Sequence, residues 1–144
     1  MQRMRNGNGE TTAPPLRVFL VEDSQSIRER LAEALSSPGR IEIVGWAEGE
    51  AAAREALRGG GWDAVVLDLQ LKQGNGFGVL KAVQNAGRPA GSVVIVLTSY
   101  PFPLYRVKSA QLGADFFFDK SREYERVRDV LESVADRRLQ AGGS

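Results

Sequence analysis

Five times between Leu16 and Leu139, a short run of apolar, mostly β-branched or aromatic residues gives way to a segment of helical character. That alternation narrows the fold more than any other feature. LRVFLV (16–21), IEIVGWA (41–47), AVVLD (64–68), SVVIVLT (92–98) and DFFF (115–118) read as strands. After the first, Ser24 or Ser26 caps a helix whose apolar residues Ile27, Leu31, Ala34 and Leu35 share one face, and SSPG (36–39) stops it. Further helices are expected over 49–61, closed by glycines, and over 76–87. The fourth has Pro103 in its first turn and stops at Leu112-Gly113, and the fifth covers 122–139. The third strand is apolar without interruption, as a strand buried on both faces requires, whereas 41–47 is less apolar and belongs nearer an edge. Strands alternating with helices through short loops indicate an α/β fold, a parallel sheet covered on both faces, with right-handed crossovers. One domain is expected over 16–140. Residues 1–15 are polar, carry Gly, Asn, Thr and Pro, and read as a disordered tail; a short tail is expected at 141–144.

Composition removes whole classes of chemistry. The chain has no cysteine and no histidine, so thiolate chemistry, Cys/His zinc sites and Ser-His-Asp catalysis are excluded. Nineteen basic and 18 acidic side chains leave a formal charge of +1, which offers no electrostatic case for nucleic acid or an anionic membrane. No stretch approaches the roughly 20 apolar residues of a membrane span, and the N-terminus lacks the apolar core of a signal peptide. A cytoplasmic location is expected.

The remaining chemistry sits where strands end. The first strand ends in Glu22-Asp23, the third in Asp68, the fourth in Thr98-Ser99 and the fifth in Asp119-Lys120. In doubly wound sheets, ligands bind beyond the carboxyl ends of the strands, where strand order reverses. With the order 2-1-3-4-5, strands 1 and 3 are neighbours. Glu22, Asp23 and Asp68 then converge, opposite a hydroxyl and an ammonium. Clustered carboxylates need a counter-charge, and Mg²⁺ suits an all-oxygen site that also holds phosphate. Lys120 is a point charge for a phosphoryl oxygen, Thr98 a donor to another, and Asp68 the natural nucleophile. On this reading, neutralising either Glu22 or Asp23 raises metal-free stability by relieving repulsion.

These motifs, VED (21–23), VVLDLQL (65–71), VLTS (96–99) and GADFFFDKS (113–121), resemble the receiver domain of two-component response regulators across residues 16–140. The resemblance implies a flavodoxin-like, doubly wound five-stranded sheet of order 2-1-3-4-5 flanked by five helices. It implies Asp68 as phosphoacceptor and Asp23 as a direct Mg²⁺ ligand, with Glu22 acting through water and the Gln70 backbone carbonyl completing the metal shell. Thr98 would contact the phosphoryl group, Lys120 would pair with it, and Thr98 and Phe117 would form the switch. The implied partners are a histidine kinase or histidine phosphotransfer protein and an unidentified downstream protein. A homodimer is implied through the face made by helix 4, strand 5 and helix 5. No catalysis is implied beyond Mg²⁺-dependent self-phosphorylation and autodephosphorylation. A stand-alone receiver signalling by protein contact is expected; a phosphorelay intermediate, a phosphate sink or the receiver of a longer regulator are the alternatives.

The chain departs from the family pattern in three places. Lys72 stands where the loop after Asp68 usually has proline, Phe117 has no hydroxyl, and Lys120 is followed by Ser121 rather than proline. The segment SYPFPLY (99–105) admits two readings: Phe102 with Leu104 or Tyr105 packs helix 4 onto the sheet, or Tyr100 and Phe102 form a partner surface. An aspartyl-nucleophile phosphatase needs an acid two residues after its nucleophile, and Gln70 cannot serve. A flavin module needs a phosphate loop after strand 1, where Glu22-Asp23 would repel its ligand.

Overall fold

The computed structural model describes residues 14–143. Its elements, in chain order, are β1 (Leu16–Val21), α1 (Gln25–Leu35), β2 (Ile41–Ala47), α2 (Glu50–Arg58), β3 (Ala64–Leu67), α3 (Gly76–Ala86), β4 (Val93–Thr98), α4 (Pro103–Gln111), β5 (Phe116–Asp119) and α5 (Tyr124–Gly143). The strands are parallel and lie in the order β2-β1-β3-β4-β5. β2 is an edge strand, as its mixed composition predicts, and β3 is buried along its whole length.

The period of two along each strand divides the core in two. Leu16, Val18, Leu20, Val66, Ile95, Leu97 and Phe118 face one side and meet Leu31 and Leu35 of α1 and Val127, Leu131 and Val134 of α5. Phe19, Val21, Val65, Leu67, Val94, Val96 and Phe117 face the other and meet Ala53, Leu57, Val79, Leu80 and Val83 of α2 and α3. Each fully buried Leu or Val contributes about 1.5–3 kcal/mol, so a one-residue register slip would exchange the two faces at great cost.

Local chemistry sets several boundaries. Ser24 caps α1 by accepting from the Ile27 N–H. α5 starts two residues later than predicted, because Asp119 holds the preceding turn by accepting from the N–H and hydroxyl of Ser121. It also runs to Gly143, past the expected boundary at 140: Arg137-Arg138-Leu139-Gln140 are good helix formers and nothing stops it earlier. The expected tail over 1–15 lies outside the described residues up to position 13, as does Ser144. Every described peptide bond is trans, including Lys120–Ser121.

Candidate functional site

The carboxyl ends of β1, β3, β4 and β5 bring Glu22, Asp68, Thr98 and Lys120 together. Lys120 is the hub. Its Nζ donates to Asp68 Oδ2 at 2.7 Å and to Glu22 Oε1 at 2.8 Å. Asp68 is 7% exposed and Glu22 3%, so both acids meet this ammonium away from bulk water. The remaining oxygens are also engaged. Glu22 Oε2 accepts from the Ser24 N–H at 3.0 Å, and Asp68 Oδ1 accepts from the Gln70 N–H at 3.2 Å. Thr98 is fully buried; its hydroxyl accepts from the Tyr100 N–H, and its carbonyl accepts from the Lys120 N–H.

Burial opposes the Lys120 charge, but the hydrogen bonds and charges of Asp68 and Glu22 outweigh it and hold the ammonium above its ordinary value. A folded-state pKa raised in this way contributes stability that is complete below pH 10.5 and lost as pH rises through the higher folded value. Alkaline titration should therefore lower the melting temperature of the unmodified chain above that pH. A Glu22→Gln/Asp68→Asn double variant should lose less over the same range. Equal losses in the two proteins would show that the pair does not carry the effect.

The convergence differs from the sequence-based expectation in one respect. The structure gathers Glu22 and Asp68 on Lys120, but among the described residues no three acidic side chains group closely enough to hold a metal by themselves. The physical reason is that Lys120 supplies the counter-charge. Glu22 is a paired acid rather than a repelled one, so the expected gain in metal-free stability on neutralising it is withdrawn. Asp23 is partly exposed and, among the described residues, makes no ion pair or side-chain hydrogen bond. The donor set still fits Mg²⁺, which takes one or two carboxylates and keeps several waters: it is all oxygen and includes one uncommitted carboxylate.

Phe117 faces inward, 8% exposed, in the core beneath α3 and α4. Arg106 lies 4.6 Å over its ring and donates to its carbonyl at 3.2 Å. In SYPFPLY only Tyr105 packs inward, edge-on to Phe77 at 5.4 Å. Phe102 and Leu104 are 52% and 73% exposed, so of the packing reading only the Tyr105 alternative holds, and Tyr100 and Phe102 lie at the surface as the other reading has them. The turn formed by Phe102 N–H and the Tyr100 carbonyl lifts this segment off the sheet before α4 begins.

One contributor escaped the sequence reading. Arg28 is buried, donates to the Glu22 carbonyl at 2.8 Å, pairs with Glu48 at 3.3 Å and stacks 3.9 Å from the exposed Trp46 ring. Its signal was available: Arg28 lies on the apolar stripe of Leu31 and Leu35. Trp46 is thereby linked to the site, whereas Trp62 is buried ahead of β3, its indole N–H on the Leu57 carbonyl.

The family model described as response regulator receiver domain matches residues 18–132. The chain is similar to protein-glutamate methylesterase/protein-glutamine glutaminase 5 of Anaeromyxobacter dehalogenans, 32% identical over 143 residues, covering 92% of this chain and 38% of that protein. It is also similar to the probable transcriptional regulatory protein SilR of Salmonella typhimurium, 29% identical and covering 81% of this chain and 51% of that protein. The chain thus spans between about a third and a half of the length of these relatives. Among solved structures, it resembles the signal receiver domain of the putative response regulator NarL from Mycobacterium tuberculosis, with a TM-score of 0.74 and 25% identity over 86% of this chain and 98% of that one.

Proposed function

Given that the chain belongs to the response regulator receiver family, we propose that Asp68 is its phosphoacceptor and that Glu22, Asp23, Thr98 and Lys120 serve that one transfer. The observation that carries this reading is the single Lys120 ammonium held by both Asp68 and Glu22 at the end of the central strands. A carboxylate oxygen of Asp68 attacks phosphorus, the new O–P bond forms, and the bond from phosphorus to the donor breaks. For a phosphohistidine donor the leaving imidazole takes up a proton; for an acyl phosphate a carboxylate leaves. Lys120 then has phosphoryl oxygens to pair with in place of Asp68 Oδ2, and Thr98 has one to which its hydroxyl can donate.

Mg²⁺, held by Asp23, Asp68 and the Gln70 backbone carbonyl, with Glu22 acting through water, would neutralise charge on the transferring group. The donor in the cell is a histidine kinase or histidine phosphotransfer protein, and the reaction is cytoplasmic. The only chemistry assigned is transfer to Asp68 and its reversal by hydrolysis; the output is a protein contact. Incubation with Mg²⁺ and a small acyl phosphate, read by intact mass, tests the proposal. One added phosphoryl group is expected, and none would refute it.

The readout is assigned to α4, β5 and α5. Thr98 ends β4, and Lys120 follows β5, the neighbouring strand that carries Phe117, while Leu104, Val107 and Phe116 are exposed on this face, which also suits self-association. Phe117 is already inward and carries no polar tip, so phosphorylation has less to change than at a tyrosine. Backbone NMR with Mg²⁺ and beryllofluoride should move resonances across 103–130, and by more in Phe117→Tyr. Changes confined to the loops around Asp68 would remove this face from the mechanism.

A further inference from the structure

α2 begins without a cap of its own. Its N-cap is Gly49, which has no side chain to offer, yet the first N–H groups of the helix are satisfied. The partner comes from the loop that follows Asp68. The Glu50 N–H donates to the Gln73 carbonyl at 2.8 Å, and the Ala51 N–H donates to Gln73 Oε1 at 3.0 Å. Glu50 returns the contact: its Oε1 accepts from the Asn75 N–H at 3.0 Å, while Oε2 pairs with Arg54 at 3.3 Å. Asn75 in turn caps α3 by accepting from the Gly78 N–H.

Glycines make room for this exchange. A Cβ at Gly74 or Gly78 would overlap the Glu50 carboxylate, and one at Gly49 would lie 2.9 Å from Gln73 Oε1. Gly74 also has φ +73°, a conformation that glycine adopts without the strain a side chain would bring. On the other side of the loop, a Cβ at Gly76 would strike the Asp68 carbonyl, and the Gly76 N–H donates to the Leu69 carbonyl at 3.0 Å. The segment from Asp68 to Gly76 is therefore drawn closed at its ends and gripped in its far half by Glu50, at Gln73 and Asn75. Its near half carries the Gln70 N–H that holds Asp68 Oδ1. Lys72 is exposed and, unlike a proline, does not stiffen the loop.

We propose that Glu50 and Gln73 are positioning residues for the phosphoryl site, a reciprocal lock between α2 and the loop after β3 that holds the Gln70 backbone and Asp68 in register before metal or phosphoryl group arrives. The inference rests on the reading of Asp68 as phosphoacceptor and of the Gln70 carbonyl as part of the Mg²⁺ shell. It adds two residues that touch neither. Supports of this kind typically change metal affinity by tens of fold when removed.

The test uses the full chain and three variants. Glu50→Ala deletes the acceptor for Asn75, Gln73→Ala deletes the side-chain acceptor for the Ala51 N–H while keeping the backbone one for Glu50, and Glu50→Gln keeps an acceptor oxygen while losing the charge toward Arg54. Mg²⁺ affinity by calorimetry and metal-free amide exchange at residues 69–75 are the readouts. Glu50→Ala and Gln73→Ala should weaken Mg²⁺ binding by about tenfold and speed exchange in that loop, with cooperative melting retained. Glu50→Gln should restore both. Unchanged Mg²⁺ affinity in both alanine variants would overturn the lock, as would a Glu50→Gln protein as impaired as Glu50→Ala. Should Glu50→Ala not fold, Gln73→Ala decides alone. If the unmodified chain binds Mg²⁺ but takes no phosphoryl group on Asp68, the failure belongs to the phosphoacceptor reading, and the affinities still judge the lock.

Discussion

Asp68→Asn should take up no phosphoryl group from an acyl phosphate in the presence of Mg²⁺, where the unmodified chain takes up one. The amide keeps the size of the carboxylate and can still accept from the Gln70 N–H, so the loop after β3 has no reason to move. Lys120 keeps Glu22 as its partner at 2.8 Å, so no buried charge is stranded. What disappears is the nucleophile, because an amide oxygen does not form a stable ester with phosphorus at neutral pH. Loss of one charge-assisted hydrogen bond to Lys120 should cost about 1.5–3 kcal/mol in urea unfolding, an effect separable from the loss of labelling. Intact mass after incubation reads the first quantity. Labelling that persisted in a folded Asp68→Asn protein would place the acceptor on another side chain, with Glu22 and Asp23 the next to substitute.

The second large effect belongs to Lys120. Its side chain is 12% exposed and stands between two carboxylates that are themselves buried. In Lys120→Met both acids lose their common counter-charge while their desolvation remains. Removing one partner of a buried pair typically costs about 3–5 kcal/mol, against a total of about 5–15 for a domain of ordinary stability. The variant should approach the margin of folding. Adding Glu22→Gln should recover part of that loss, since one uncompensated charge is then removed. The double-mutant cycle, measured by urea unfolding, should show strong coupling between the two positions. An additive cycle, or a Lys120→Met protein as stable as the parent, would mean that water or a rearranged loop already screens these acids.

Much of this was legible in one dimension because the signals were periodic or chemically exclusive. The alternation of apolar residues along 16–21, 64–67 and 93–98 specifies which side chains enter which core, and parallel strands with short connections leave few topologies. The absence of histidine and cysteine confined the chemistry to carboxylates, hydroxyls and lysine. The placement of Asp68, Thr98 and the pair Asp119-Lys120 at the ends of apolar runs located them at the carboxyl ends of the strands. Each of these inferences uses only neighbours in sequence and a rule for how strands assemble.

Other features depend on pairs that no local rule connects. Lys120 meets Glu22 across 98 positions, and that contact turns a site read as mutually repelling acids into one in which a single ammonium is shared by two of them. Glu50 finds the loop around Gln73 and Asn75 across more than twenty residues, with glycine spacing as the only trace in the chain. Phe102 and Leu104 have the composition of core residues, yet a turn at Tyr100 sets them in solvent while Tyr105 goes inside. Hydrophobicity and period state what a residue would gain from burial. Which charge it meets there, and whether there is room for it, depends on backbone that arrives from elsewhere in the chain, and that is decided only when the sheet closes.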